Sequence, residues 1–380
     1  MSLETGNEDT GSLETENLGT ENLDKGNLQT GSSDTSSPEA GRSETGKTAV
    51  LLLAHGTPNV LGEMAEYLSK VTGGRTLPQA VVEELQHRYA QIGLGERPGM
   101  EAPPLTKWTR MQGQLLEQAL NDGKVYVGMR NWHPLIADVV AQMRTDGVTR
   151  IKAVCLAPQN SRTSVGLYRR AVLAAAVGIE VEFVAGWAES PLLAQAFAER
   201  LWPVWAEACA DSGRRVPVLF TAHSVPCRTI MTGDGAGTKP GTTMPPSPDT
   251  YPVEAKRTAQ MVADLLAPVG FRDSDWFFAF QSQGVSGGPW IGPTVEEILK
   301  AIHDEGHVGV VIQPVGFLCD HVEILYDIDI AFREAASELG LKLWRAESLN
   351  DSPTLIRALA DVASGAYKAT VDEMTEPEGV

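Results

Sequence analysis

The sequence predicts an α/β protein of two related halves, each built on a parallel sheet with flanking helices. Continuous apolar runs alternate with amphipathic helical patterns along most of the 380 residues, and this alternation is typical of right-handed βαβ units. Two of the runs close on the same phrase, Ala-His-x-x-Pro, at residues 51–58 and 219–226. The length allows two cores, since single cores stop growing at roughly 250–300 residues.

Residues 1–46 have a composition that does not favour folding. They carry ten acidic residues against Lys25 and Arg42, which supplies −8 of the formal charge of −18. Leucines recur there every five residues, a period that fits neither a helix nor a strand. The sequence therefore predicts a disordered acidic tail, and the absence of a basic start and an apolar core argues against a signal peptide.

Composition excludes several functional classes. No run approaches the roughly 18–20 apolar residues that cross a bilayer, so a soluble, cytoplasmic protein is expected. The acidic body argues against nucleic acid as a partner. The four cysteines form no C-x-x-C pair, which disfavours zinc and iron–sulfur sites. The motifs of dinucleotide-binding proteins, P-loop proteins and α/β-hydrolases are missing.

The order of the predicted elements is the same in both halves. In the first half the predicted strands are 48–54, 124–129, 151–157 and 181–185, and the helices are 62–71, 79–92, 105–120, 134–144 and 164–177. In the second half the strands are 216–222, 276–281, 308–313 and 342–345, and the helices are 192–210, 253–266, 294–303, 322–339 and 353–367, with a surface insertion at 232–248.

Binding sites of parallel sheets lie beyond the carboxyl ends of the strands. Five residues occupy such ends here: His55, Pro158, His223, Gln281 and Pro314. His223 is the residue of greatest interest, because an imidazole can move protons or bind a metal ion. A hydrogen-bonded structural histidine is the alternative interpretation.

A row of carboxylates follows the strand at 308–313. On a helix over 322–339, turning by about 100° per residue, Asp320, Glu323 and Asp327 share one face. The apolar positions Val322, Leu325, Ile328 and Phe332 form the opposite face. A solvated acidic face near a helix N-terminus is one interpretation. The other is a site shared with His223 that binds a divalent cation such as iron, zinc or nickel.

Five ordered blocks of the sequence resemble the ferrochelatase family. They are Met129-Arg130-Asn131-Trp132-His133-Pro134, Leu156-Ala157-Pro158-Gln159-Asn160-Ser161, Ala222-His223-Ser224-Val225-Pro226, Phe280-Gln281-Ser282-Gln283-Gly284 with Pro289-Trp290-Ile291-Gly292-Pro293, and Pro314-Val315-Gly316-Phe317 with Asp320-His321-Val322-Glu323-Ile324-Leu325-Tyr326-Asp327-Ile328-Asp329. The similarity runs from about Thr48 to Tyr367.

The resemblance implies the chelatase-like fold, with two Rossmann-like lobes and a porphyrin in the cleft between them. It places the first lobe at 47–190, the second at 191–347, a closing helix at 348–370 and a disordered tail at 371–380. The implied activity is insertion of Fe(II) into a porphyrin in haem biosynthesis, with no organic cofactor and with Fe(II) as substrate. By position, His223 and Glu323 match the family's catalytic metal-site pair, and Asp327 is a candidate proton or metal relay.

Several blocks look closest to the branch that uses coproporphyrin III rather than protoporphyrin IX. The porphyrin contacts of that branch correspond to Arg88, Tyr89, Tyr168 and His55, the last standing where the branch usually has a tyrosine that ligates the product iron. An arginine position of the branch is Thr72 here, and the next position of the acidic row is Ala331. Cobalt or nickel insertion into another tetrapyrrole, and non-catalytic binding of metal or tetrapyrrole, are the alternatives. The oligomeric state is left open.

Overall fold

The computed structural model describes residues 46–231, 249–284, 288–368 and 370–371. The predicted acidic tail, apart from Gly46, lies outside these residues. The predicted surface insertion at 232–248 and the last nine residues also lie outside them.

The N-terminal sheet has five strands in the order β2-β1-β3-β4-β9. Its strands are β1 (Lys47–Ala54), β2 (Lys124–Met129), β3 (Val148–Cys155), β4 (Glu180–Gly186) and β9 (Thr370–Val371). The first four run parallel, whereas β9 pairs antiparallel with β4. Residues 49–54 of β1 are buried, as expected for a parallel strand that helices cover on both faces.

The C-terminal sheet has four parallel strands in the order β6-β5-β7-β8. Its strands are β5 (Val218–His223), β6 (Trp276–Gln281), β7 (Gly309–Pro314) and β8 (Lys342–Arg345). Every residue of β7 and all but the last of β5 are buried. His223 is the last residue of β5, an interior strand, and therefore lies at the carboxyl edge of this sheet.

Helices cover the faces of both sheets. They are α1 (Met64–Val71), α2 (Gln79–Gln91), α3 (Pro104–Ala119), α4 (Ile136–Thr145), α5 (Val165–Ala175), α6 (Pro191–Ser212), α7 (Cys227–Met231), α8 (Tyr251–Leu266), α9 (Val295–Asp304), α10 (Val322–Leu325), α11 (Arg333–Glu338) and α12 (Pro353–Ser364). One buried apolar cluster joins the two halves, since it contains Leu52 of β1, Phe220 of β5 and Leu355 of α12. The predicted domain limits at 190, 347 and 370 stay predictions.

The predicted strands and helices are confirmed to within a few residues at their ends, with three exceptions. The strand β9, which pairs with β4, and the short helix α7 were not predicted. The continuous α-helix predicted over 322–339 is wrong. A π-helical turn, Asp327–Phe332, separates the single turn α10 from α11, and such turns within helices are frequent at functional sites.

Candidate active site

His223 is the last residue of β5, and its ring is held from two sides. The ring atom Nδ1 contacts the carbonyl oxygen of Ser224, so Nδ1 is the protonated nitrogen. Its Nε2 lies 3.3 Å from Oε1 of Glu323. The hydroxyl of Tyr251 donates to the backbone carbonyl of His223 at 2.8 Å, which fixes the strand end. When neutral, His223 therefore presents its Nε2 lone pair towards Glu323.

Glu323 lies in the single turn α10, between two imidazoles. Its Oε2 is 3.4 Å from Nε2 of His321, whose Nδ1 is 2.9 Å from the carbonyl oxygen of Cys319. The side-chain amide of Gln281, at the end of β6, donates to the backbone carbonyl of Glu323 at 2.7 Å. Both histidines thus point Nε2 at one carboxylate and anchor Nδ1 on a backbone carbonyl.

The charges of this pair are strongly coupled. Burial lowers the pKa of His223. The charge of Glu323 and the hydrogen bonds to Glu323 and to the Ser224 carbonyl raise this pKa by more than burial lowers it, so the pKa lies above 6.5. Burial likewise raises the pKa of Glu323, yet the charge of His223 and hydrogen bonds from both histidines hold it well below 4.5. At neutral pH, an imidazolium–carboxylate pair is therefore favoured.

Asp327 lies one turn further along, within the π-helical turn. The hydroxyl of Ser282 donates to Oδ2 of Asp327 at 2.5 Å, and the guanidinium of Arg88 reaches Oδ1 at 3.9 Å. Burial and the nearby charge of Glu323 raise the pKa of Asp327 to about 6, against the opposing effects of Ser282, Arg88 and His321. Arg88 also lies 5.2 Å from the ring centroid of Tyr326. The predicted relay residue and one predicted porphyrin contact are thus adjacent.

The three carboxylates do not form one solvated helix face, which was one of the two interpretations of the sequence. Asp327 is largely buried and Glu323 is half-buried, since their side chains are 12% and 31% exposed. Asp320 precedes the first residue of α10, so the helical periodicity does not apply to it, and it bonds to Ser348 and Asn350 instead. The buried apolar face consists of Ile324, Ile328, Phe332 and Ala336 rather than Val322 and Leu325.

His55 follows β1 and is enclosed by hydrogen bonds. The amide of Asn131 lies 2.9 Å from its Nε2, and the hydroxyl of Tyr67 lies 3.1 Å from its Nδ1. Burial and the charge of Arg130 lower the pKa of His55 to about 4, so the ring is neutral. Ligation of iron by His55 stays a prediction, and it requires Nε2 to release Asn131.

The two predicted tyrosine contacts are buried. Tyr89 is 7% exposed and packs in a cluster with Tyr67 and Trp132, and this cluster also contacts Val322. Burial raises the pKa of Tyr89 to about 12. Tyr168 is 4% exposed and lies under the guanidinium of Arg130, at 5.6 Å from the ring centroid. Their role in porphyrin binding stays a prediction.

Two residues of the site were overlooked as functional candidates, although both belong to the blocks that carry the resemblance. His321 contacts the second oxygen of Glu323. Arg130 is largely buried, its Nε has no hydrogen-bond partner among the described residues, and burial lowers its pKa. A buried guanidinium with an open donor is suited to a carboxylate ligand. For both, the signal was a cationic or imidazole side chain directly after a predicted strand or in the turn before a helix.

A cavity of about 470 Å³ opens beside this arrangement. Tyr89, the loop between Gly93 and Leu105, and the pair His321 and Val322 line it. Its walls combine apolar side chains, such as Leu94 and Val322, with polar ones, such as Arg97 and His321. Within the described ranges, no three His, Cys, Asp or Glu side chains form a closed metal cage, and no helix is long and apolar enough to cross a membrane.

The model of one protein family, described as ferrochelatase, matches residues 47–366 of this chain. The chain belongs to the ferrochelatase family. A protein of Acidobacterium capsulatum named ferrochelatase is 56% identical over 333 residues, covering 87% of this chain and 98% of that protein. The ferrochelatase of Herpetosiphon aurantiacus is 40% identical over 84% of this chain and 99% of its own length. The coproporphyrin III ferrochelatase of Geobacillus kaustophilus is 32% identical, covering 83% and 95%.

Membership of the ferrochelatase family settles the class of activity predicted from the sequence. The chain is a metal-inserting enzyme that places iron in a porphyrin for haem synthesis. A non-catalytic carrier is therefore not the right interpretation. The identity of the porphyrin is a separate question. Relatives named ferrochelatase and relatives named coproporphyrin III ferrochelatase both match over most of the chain.

Proposed function

We propose that this ferrochelatase inserts Fe(II) into coproporphyrin III at the His223–Glu323 pair, giving coprohaem and two protons. The pairing of Nε2 of His223 with Glu323 at 3.3 Å carries the proposal, because metallation needs a base and a metal ligand at one point. The reaction uses Fe(II) as substrate and needs no organic cofactor. We place it in the cytoplasm, where Fe(II) and a porphyrin are both accessible to a chain without a membrane-spanning helix in its described part.

The resting pair must lose a proton before His223 can act as a base. Fe(II) brings two positive charges next to the imidazolium, which lowers the affinity of Nε2 for its proton, and this proton passes to the ionised carboxyl group of Asp327 and on to solvent. Glu323 then holds the metal, while the freed Nε2 lone pair of His223 accepts a proton from a pyrrole N–H. His321, on the other oxygen of Glu323, provides a second imidazole through which the remaining pyrrole proton leaves.

Asp327 is suited to pass these protons on. Its pKa of about 6 lies close to neutrality, so it can both accept and release a proton near physiological pH. Ser282 donates to it and Arg88 lies next to it, which keeps the carboxyl group oriented in both protonation states. We propose that Asp327 is the next acceptor after the two imidazoles, since its charge acts on the pKa of His223 and the charge of His321 acts on its own pKa.

The preference for coproporphyrin III rests on the cationic groups near the site. Coproporphyrin carries more propionate groups than protoporphyrin IX, and each one needs a donor. Arg88 is 37% exposed, and Arg130 keeps an open Nε donor. Both can bind propionates by charge-assisted hydrogen bonds. The Geobacillus kaustophilus relative, named coproporphyrin III ferrochelatase, supports the same choice.

The decisive experiment offers both porphyrins to the same enzyme. Purified protein is incubated anaerobically with Fe(II) and either coproporphyrin III or protoporphyrin IX, and the shift of the Soret band is followed. We expect a higher kcat/KM for coproporphyrin III. A higher value for protoporphyrin IX would refute the substrate and leave the reaction intact, whereas no metallation of either porphyrin would refute the reaction. The His223→Ala variant is the inactive control.

A further inference from the structure

The segment that carries His321, Glu323 and Asp327 has an aspartate near each end that takes no part in the site. These are Asp320, just before α10, and Asp329, in the π-helical turn. Both contact one guanidinium, that of Arg345 at the end of β8. Arg345 binds Asp329 through two hydrogen bonds of 2.7 and 2.9 Å, and its Nη1 lies 3.5 Å from Oδ1 of Asp320.

The loop after β8 holds Asp320 from a second direction. The hydroxyl of Ser348 donates to Oδ1 of Asp320 at 2.7 Å, and the side-chain amide of Asn350 donates to Oδ2 at 3.0 Å. The oxygen of the same amide accepts from the backbone N–H of Asp320 at 2.9 Å. Asp320 and Asn350 therefore bond reciprocally, which fixes the backbone directly before His321.

Asn350 is itself held in a conformation that suits this pairing. Its φ is 44°, in the left-handed region that asparagine tolerates better than most residues. Its backbone N–H donates to the carbonyl of Leu318 at 2.9 Å, and its carbonyl accepts from the side chain of Gln112 at 2.7 Å. Gln112 belongs to α3, so the loop connects the catalytic segment to a helix of the other half.

The segment needs such support for two reasons. First, α10 has only four residues and passes directly into a π-helical turn, so its own hydrogen bonds cannot hold it rigidly. Second, Asp320, Glu323, Asp327 and Asp329 place four carboxyl groups within ten residues, and they repel one another when ionised. The single positive charge of Arg345 offsets part of the charge of the two that lie outside the site, while Glu323 and Asp327 stay available to the substrates.

We propose that Arg345, Ser348 and Asn350 are positioning residues that hold Glu323 at the distance from His223 needed for metallation. We name this group the β8 clamp. It acts through Asp320 and Asp329 and touches neither substrate. The proposal rests on the role proposed above for Glu323. A misplacement of about 1 Å at a reacting group can cost about 100-fold in rate, so a loosened clamp should slow the chemical step.

Two variants test the clamp without removing a catalytic group. Asn350→Gly keeps the left-handed backbone conformation but removes both side-chain bonds to Asp320. Arg345→Lys keeps the positive charge but loses the two-pronged contact with Asp329. The matched control is Lys342→Gln, since Lys342 lies on the same strand as Arg345 but pairs with Asp211, outside the catalytic segment, in an exposed ion pair of 2.8 Å. Assays are run below the melting temperature of every variant.

For Asn350→Gly and Arg345→Lys we expect kcat to fall by about 10- to 100-fold, with porphyrin KM and fluorescence-measured Kd within about twofold of the parent. The control should match the parent. Unchanged kcat in both variants would overturn the clamp, as would a change confined to porphyrin KM. A general loss of folding would change porphyrin Kd as well, which separates it from mispositioning.

A second readout does not depend on turnover. Co(II) is titrated into the parent and the three variants, and binding is followed by its visible absorption. We expect weaker Co(II) binding in Asn350→Gly and Arg345→Lys and parental binding in Lys342→Gln. If the parent metallates neither porphyrin, the proposed function fails, while these titrations still decide the clamp: identical affinities in all four proteins would overturn it.

Discussion

The ionised form of Asp327 lowers the free energy of unfolding, because burial and the charge of Glu323 both disfavour it, and this effect depends on pH. Its folded pKa of about 6 lies above the ordinary value of 3.8, so the folded protein binds this proton more tightly than the unfolded chain. Stability is therefore lost as pH rises from about 4 to about 6, and the full cost is present above that range. Two pKa units correspond to roughly 3 kcal/mol.

Asp327→Asn should consequently stabilise the protein at pH 7–8 by about 1–3 kcal/mol, and should give no gain at pH 4. The amide oxygen can still accept from Ser282, so this bond is kept. Urea unfolding at both pH values measures the effect. Asp329→Asn is the contrasting variant, because it breaks the contact with Arg345 and should destabilise at pH 7–8. Equal destabilisation by both substitutions would contradict the assigned pKa.

His223 and Glu323 should act as one unit in the proposed reaction. His223→Ala and Glu323→Gln should each reduce kcat by at least about 100-fold, because the first removes the proton acceptor and the second removes the carboxylate charge that holds the metal. Porphyrin binding, measured by fluorescence, should persist in both. The double variant should be no slower than the worse single variant, since residues that act as a unit are not additive. Additive losses would show independent roles.

The coupling between these two residues can be measured without turnover. Glu323 raises the pKa of His223, so Glu323→Gln should lower it. The imidazolium of His223 would then lose its proton at a lower pH than in the parent. NMR titration of the histidine ring protons checks this, with His223→Ala used to assign the signal. A pKa of His223 that is unchanged or higher in Glu323→Gln would refute the ion pair.

At the scale of elements, the parallel strands were predictable and the catalytic helix was not. Continuous apolar runs mark β1, β5 and β7, because buried parallel strands are apolar on both faces. The helix over 322–339 also has apolar periodicity, but periodicity does not reveal a π-helical turn. Nor does it show where the first turn begins, and this is why Asp320 was wrongly grouped with Glu323. The strand β9 has two residues and pairs only with the distant β4, so no local pattern marks it.

The turn after β7 sets how closely it approaches the strand that carries His223. A Cβ atom on Gly316 would lie 2.8 Å from Cβ and 2.9 Å from Cα of Ala222, which is too close for either backbone to stay in place. Gly316→Ala should therefore destabilise the protein by about 1–3 kcal/mol and reduce kcat by displacing His223. Gly62→Ala is the control, because nothing lies within 4 Å of its added Cβ. Thermal unfolding and turnover of both variants decide the question.

At the scale of the whole molecule, the two related halves were recognised from the repeated Ala-His-x-x-Pro phrase, but their joint core was not. Phe220, Leu52 and Leu355 belong to one apolar cluster, although they lie far apart in the sequence. Composition cannot show such contacts, because they depend on how α12 packs against α3 of the first half. The same difference between local and distant contacts applies to the site. His223 was predictable because it ends a strand, whereas the bonds between Asp320 and the loop after β8 join distant parts of the sequence and were not predictable.

The acidic N-terminal residues should contribute nothing to folding or catalysis. The family match begins at residue 47, β1 begins at Lys47, and Ala49 is the first buried residue of the part of the chain that the structure describes. Deleting residues 1–45 removes −8 of the formal charge of −18. We expect an unchanged melting temperature, kcat and KM for porphyrin, together with earlier elution from an anion-exchange column.

Deletion of residues 1–52 is the matched control for that experiment. It removes Leu51 and Leu52, which are fully buried in β1, an interior strand of the N-terminal sheet, and it should prevent folding. The KM for Fe(II) is compared between the parent and the 1–45 deletion at low and at high salt. An increase in the truncated enzyme at low salt alone would show that the acidic residues attract the metal ion electrostatically, since added salt screens such attraction. It would then overturn the expectation that these residues are dispensable.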